Sequence, residues 1–147
     1  MNNDNMLFDL DGTIIDPIEG IGKSINFALT SMGYPPRPDS ELGRYIGPPL
    51  DESFRLITGL NDSDLATQFV VKYRERFTEI GYSENVLYSG IVEVLKKINT
   101  MGVPMGLCTS KRLDYAQMIL KMHGIYELFE FISAGDIGIK KWQQIEK

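Results

Sequence analysis

The chain has 147 residues, is 43% hydrophobic and 24% charged, and carries a net charge of −5 with one cysteine, Cys108. That balance suits one core-bearing domain with room for a small insert and excludes a disordered chain. It shows no clustered Lys and Arg for nucleic acid or an anionic membrane surface, no partner for a disulfide, no basic apolar leader and no apolar run near the ~20 residues a membrane helix needs, so the cytoplasm is the expected compartment.

Met6-Leu7-Phe8 is a short apolar run that ends abruptly in acid and glycine, which predicts a buried parallel strand with a loop at its C-terminal end. Residues 17–33 read as a helix with Ile18, Ile21, Ile25, Ala28, Leu29 and Met32 on one face, Asp16 as a cap and Gly33 as the stop. Tyr34-Pro35-Pro36-Arg37-Pro38 must be loop. Short helices are predicted at Ser40–Tyr45 and Leu50–Thr58, separated by Gly47-Pro48-Pro49, and a long one at 62–80, capped by Asp62-Ser63-Asp64 with Leu65, Phe69, Val70, Tyr73, Phe77 and Ile80 on one side.

Beyond residue 82 the pattern alternates. Gly90–Met101 is an amphipathic helix with Ile91, Val94, Leu95 and Ile98 inward, Val103–Cys108 a strand, Arg112–His123 a helix, and Phe129–Ser133 a strand. Strands alternating with helices imply a parallel sheet whose ligands sit beyond the C-terminal strand ends. The polar clusters at 9–13 and 109–111 both fall at such ends. The expected fold class is therefore α/β, a parallel Rossmann-like core from 1–16 and 83–147 with an inserted all-helical domain at 17–82.

Asp9 and Asp11 straddle the end of the first strand, and both reach one pocket only if the backbone turns there, which Gly12 permits. Two such acids can divide the work of phosphoryl transfer, one attacking phosphorus and the other protonating the departing oxygen. Attack of a carboxylate on a phosphate sets anion against anion, which a hard cation such as Mg²⁺ on oxygen ligands relieves. A polar turn that merely caps a helix is the competing reading. Thr109 and Ser110 offer hydroxyls and amides to phosphate oxygens at the second strand end, or simply cap the next helix. A lysine after the third strand, Lys140 or Lys141, can neutralise phosphoryl charge or be an exposed tail residue. His123 ends a helix, Cys108 is a small buried residue, Arg44 is a surface arginine, and the methionines are packing residues.

With these residues in place the chain resembles the haloacid dehalogenase superfamily. Asp9-Leu10-Asp11-Gly12-Thr13 matches its first motif, Thr109 its second, and Tyr45-Ile46-Gly47-Pro48-Pro49-Leu50 is similar to the cap segment of phosphoglycolate phosphatase-like members. The resemblance implies that Asp9 is a nucleophile forming an aspartyl-phosphate and that Asp11 is the general acid and then the base. It implies Mg²⁺ on the Asp9 carboxylate and the Asp11 carbonyl, Thr109 on the transferring phosphoryl group with Gly12, Thr13, Ser110 and Gly47 assisting, and Lys141 as the third-motif lysine. The expected activity is Mg²⁺-dependent hydrolysis of a small phosphorylated metabolite. The second acid speaks against a dehalogenase, whose reaction has no leaving alkoxide to protonate.

Two departures qualify the match. No proline follows Lys140-Lys141, and nothing after Asp136 supplies the family's fourth, acidic motif, so the core is expected to be incomplete at its C-terminal part. The first strand then becomes a sheet edge with exposed apolar side chains, open to self-association. Two other functions stay open, a remnant that only binds phosphate or a partner, and a phosphomutase similar to beta-phosphoglucomutase.

Overall fold

The computed structural model describes residues 5–135. The chain divides into two compact units, one formed by the continuous segment Pro17–Asn85 and the other by the chain on either side of it, up to Asp16 and from Val86 onward.

The second of these holds a parallel sheet of three strands, β1 (Met6–Phe8), β4 (Met105–Cys108) and β5 (Phe131–Ser133), in the order β1-β4-β5. Register pairs Met6 with Met105 and Phe8 with Leu107, then Gly106 with Phe131 and Cys108 with Ser133. The central strand β4 is buried throughout, as a near-continuous apolar run should be. Helix α5 (Ile91–Thr100) precedes it, and α6 (Leu113–Met122) joins it to β5, burying Tyr115, Ala116, Ile119 and Leu120. Each such burial contributes ~1.5–3 kcal/mol for a large apolar side chain.

Among the described residues β1 pairs only with β4, leaving Met6 and Leu7 at 42% and 51% exposure, the edge anticipated from the sequence. A second sheet was not anticipated. Ile15–Asp16 (β2) pairs antiparallel with Val86–Leu87 (β3), closing the ends of the sheet-bearing unit where the chain leaves and re-enters it. Two-residue strands carry no readable period.

The unit Pro17–Asn85 is helical: α1 (Ile18–Ser31), α2 (Asp39–Leu42) running into a 3₁₀ turn at Gly43–Tyr45, α3 (Leu50–Thr58), α4 (Ser63–Glu79) and a second 3₁₀ turn at Gly81–Ser83. Helices α1 and α3 both pack on α4. The rings of Phe54 and Phe69 lie 5.3 Å apart, and Tyr73 stacks on Phe77. Asp62 caps α4 as anticipated, its carboxylate accepting from the amides of Asp64 and Leu65.

Three expectations need correction. Asp16 does not cap α1, because it is committed to β2, and Pro17 at the cap position makes no side-chain hydrogen bond. Val94 faces solvent rather than the core, since Leu95 alone of α5 is fully buried, and Ile80 is likewise exposed, since it falls at the C-cap of α4. Met6, Met101 and Met122 are exposed rather than packed. A one-residue shift in helical phase moves a side chain by about 100°, which short amphipathic patterns do not resolve.

Candidate active site

The loop after β1 is a tight turn built on one carbonyl. The Leu10 oxygen accepts from the amides of Thr13, Ile14 and Ile15 at 3.3, 2.9 and 3.1 Å, and Gly12 donates back to Ile15 at 2.9 Å. Gly12 sits at φ +84°, a conformation that glycine adopts without strain, while a Cβ there would meet no neighbour within 4 Å. The glycine is therefore needed for the path of the chain. Leu10, Ile14 and Ile15 are fully buried and anchor the turn. Asp9, one residue past the strand, is oriented by the Leu10 amide, which donates to its Oδ1 at 2.8 Å.

The loop after β4 is held as firmly. The Thr109 amide donates to the Ser133 carbonyl at 2.9 Å, continuing the β4–β5 ladder. The Thr109 hydroxyl oxygen accepts from the Lys111 amide at 3.1 Å, and the Lys111 carbonyl accepts from Gly135 at 3.1 Å. Thr109 is 1% exposed, one of three buried polar residues among those described. The cap position of α6 falls on Arg112, without a side-chain cap, and not on Thr109 or Ser110.

Because β1 and β4 are parallel neighbours, both loops leave the same C-terminal end of the sheet. They meet in an ion pair. Lys111 Nζ lies 3.1 Å from Asp11 Oδ2, with side-chain exposures of only 8% and 13%. The other oxygen, Asp11 Oδ1, is buried with no hydrogen-bond partner. Lys111 is the functional candidate that reading the motifs missed; its only signal was its place two residues after Thr109, where the lysine expected from the family lies after the third strand.

Thr13 is exposed beside Gly12, and Ser110 is half-buried beside Thr109. Gly47, at φ +106°, belongs to the helical unit, in the segment between the 3₁₀ turn and α3. Lys140 and Lys141 lie outside the described residues. Among those described, no group of three or more His, Cys, Asp or Glu can hold a metal, and no helix is long and apolar enough to cross a membrane.

The residues that would hold a cation here, Asp9 and Asp11, offer oxygen donors only. That set suits Mg²⁺, which is commonly bound by one or two carboxylates with substrate phosphate and water completing its shell. The buried, unpartnered Asp11 oxygen fits a site built to receive a further group.

A family model described as haloacid dehalogenase-like hydrolase matches residues 6–142. A 5'-nucleotidase of Pseudomonas aeruginosa is 36% identical over 133 residues, covering 90% of this chain and 60% of the relative. Tyrosine-protein kinase PtkA of Mycobacterium tuberculosis is 38% identical over 87% of this chain and 43% of its own length. A phosphoglycolate phosphatase of Vibrio parahaemolyticus is 29% identical over 88% of this chain and 60% of its own. The crystal structure of a predicted phosphatase from Clostridium acetobutylicum superimposes with a TM-score of 0.91 at 30% identity, covering 99% of this chain and 68% of that one. The chain thus spans no more than 60% of the length of these curated relatives.

Proposed function

The chain belongs to the haloacid dehalogenase-like hydrolase family, and on that premise we propose that it is a Mg²⁺-dependent phosphomonoester hydrolase of small phosphorylated metabolites, acting through an aspartyl-phosphate on Asp9. The observation that carries this reading is the meeting of the two strand-end loops, which puts a buried ion pair, Asp11 with Lys111, beside a carboxylate oriented by its own backbone.

On this reading an Asp9 oxygen forms a bond to phosphorus as the ester P–O bond breaks. The departing oxygen keeps the electron pair and takes a proton from Asp11. Water then attacks the aspartyl-phosphate, Asp11 accepts its proton, and inorganic phosphate leaves with Asp9 restored. Thr109 and Ser110, with the loop amides around Gly12 and Thr13, bind the phosphoryl oxygens; Lys141 adds a cation to them. Mg²⁺, held by the Asp9 carboxylate and the Asp11 carbonyl, supplies neutralising charge between nucleophile and phosphate when bound. The helical unit Pro17–Asn85, with Gly47, is read as the cap that selects small substrates. The names of the relatives support a small monoester, phosphoglycolate-like or a nucleotide. The exposed edge of β1 is read as a surface for pairing with a second copy, which sedimentation equilibrium tests: a monomer at every concentration contradicts it.

The same intermediate can be discharged to a hydroxyl instead of water, so released inorganic phosphate is the quantity to measure. With an aryl phosphate and Mg²⁺, the chain releases phosphate and Asp9→Asn reduces the release to background. Equal rates for the two overturn the proposal, and phosphate binding without turnover favours a binding remnant.

A further inference from the structure

Lys111 has no part in the chemistry just described, yet its side chain is only 8% exposed and its ammonium is ion-paired at the site. Its backbone is tied on both sides, the amide to the Thr109 hydroxyl and the carbonyl to Gly135, each at 3.1 Å. Its ammonium is thereby delivered to Asp11 Oδ2 at 3.1 Å, with both side chains largely removed from water. Asp11 Oδ1 is buried and makes no hydrogen bond. The two oxygens of one carboxylate are thus unequal.

We propose that Lys111 is a positioning residue for proton transfer: by holding Oδ2 of Asp11, it confines the transferable proton to Oδ1. The proposal rests on the phosphatase reading above. An ammonium has three donors and no acceptor, and its charge and its donated hydrogen bond both disfavour a proton on the oxygen it faces. On this proposal the proton of neutral Asp11 resides on Oδ1, and when Asp11 is a carboxylate Oδ1 is the oxygen that takes the proton from water. The lysine itself neither gains nor loses a proton. It fixes which oxygen reacts and which way the carboxyl plane faces, and misplacing a reacting group by even about 1 Å can cost ~10²-fold in rate.

A role confined to positioning the acid makes a specific demand. A good leaving group, such as a nitrophenolate, departs without help, whereas an alkoxide needs the proton. The parameter to compare is kcat/KM for an aryl phosphate and an alkyl phosphate, because it reports steps through loss of the leaving group and not the later attack of water. The full chain is tested beside Lys111→Gln, Lys111→Arg and Asp11→Asn, each checked for an unchanged melting temperature.

Lys111→Gln is expected to lower kcat/KM for the alkyl phosphate by ~10–100-fold, within the ~10²–10⁴ that general acid catalysis supplies. The aryl phosphate should change by less than about 3-fold, and Lys111→Arg should retain the selectivity of the unmodified chain. Equal losses on both substrates, expressed in KM, would make Lys111 a phosphate-binding cation and overturn the proposal. So would a lowered melting temperature with unaltered selectivity in Lys111→Arg and Lys111→Gln. If Asp11→Asn itself shows no preference for the better leaving group, or the unmodified chain has no turnover, the phosphatase reading fails and the proposal with it.

Discussion

Gly20 in α1 lies so close to the carbonyl of Gly81 that a Cβ on Gly20 would overlap the oxygen, with the Glu84 carbonyl only 3.1 Å from the same point. The approach is backbone against backbone, and the Gly20 amide uses it to donate to Glu84 at 3.0 Å. No rotamer change relieves such an overlap. Gly20→Ala should destabilise the helical unit by ~1–3 kcal/mol. Gly43 provides the contrast: it is right-handed helical at φ −58° and a Cβ there meets nothing. Gly43→Ala should be neutral or stabilising by up to ~1 kcal/mol, chiefly by restricting the unfolded chain. Thermal unfolding of the two variants checks both signs.

Arg76 closes the same region from α4. Its guanidinium donates to both oxygens of Glu84, at 2.7 and 3.2 Å, and to the Ser24 hydroxyl at 3.2 Å, with only 19% and 12% of the Arg76 and Glu84 side chains exposed. The guanidinium beside it holds the Glu84 carboxyl below its ordinary range, the Arg76 hydrogen bonds being the largest cause. Lys23 approaches the same carboxylate at 3.6 Å from a surface position. Arg76→Met leaves Glu84 and Ser24 short of donors and should cost ~1–3 kcal/mol. Lys23→Met should cost ~0–1 kcal/mol, as exposed pairs do. Chemical denaturation gives both values, and equal costs would contradict the distinction.

Acid sensitivity should centre on Glu41. Arg37 donates to both of its oxygens at 2.6 Å and Tyr45 to one at 2.7 Å. These partners, Arg37 first and then Tyr45, lower its pKa from 4.5 to about 2. A folded-state pKa below the unfolded one stabilises the fold above the unfolded pKa, and that contribution disappears as pH falls through the folded one. The melting temperature of the unmodified chain should therefore drop between pH 4.5 and about 2. Glu41→Gln should start lower at neutral pH and converge with it across that window. Parallel curves would show that Glu41 does not carry the effect.

Thr109 should behave unlike Lys111. Thr109→Val keeps the shape of a buried side chain but removes a hydroxyl that accepts the Lys111 amide and, on the phosphatase reading, binds the phosphoryl group. Its loss should lower kcat/KM by ~10²–10³ for the aryl phosphate as well as for the alkyl one, as loss of one donor to a developing anion does. Steady-state kinetics on one aryl and one alkyl phosphate separates this uniform loss from a selective one.

Much of the fold was legible because its elements are long or strongly marked. Helix α3 runs over Leu50–Thr58 as anticipated, and Asp62 caps α4 because an acidic residue before a long periodic run has one economical use. The apolar strand ending at Cys108 was equally plain, since a buried parallel strand reads as a continuous apolar run. The pair of Ile15–Asp16 with Val86–Leu87 was not legible, because it joins residues about 70 positions apart through only two residues on each side. At the site, Asp9, Asp11 and Thr109 stood out by motif and Lys111 did not. An ion pair between loops far apart in the chain has no local pattern, and it emerges only once β1 and β4 are neighbours.

The central claim is that Asp9 takes the phosphoryl group from a phosphomonoester, and acid quenching during turnover tests it most directly. The account predicts that the peptide containing Asp9 gains the mass of one phosphoryl group, that hydroxylamine removes it as it does an acyl phosphate, and that Asp9→Asn gains nothing. Turnover with no such adduct, or a hydroxylamine-resistant phosphoryl group on Thr109 or Ser110, would contradict it.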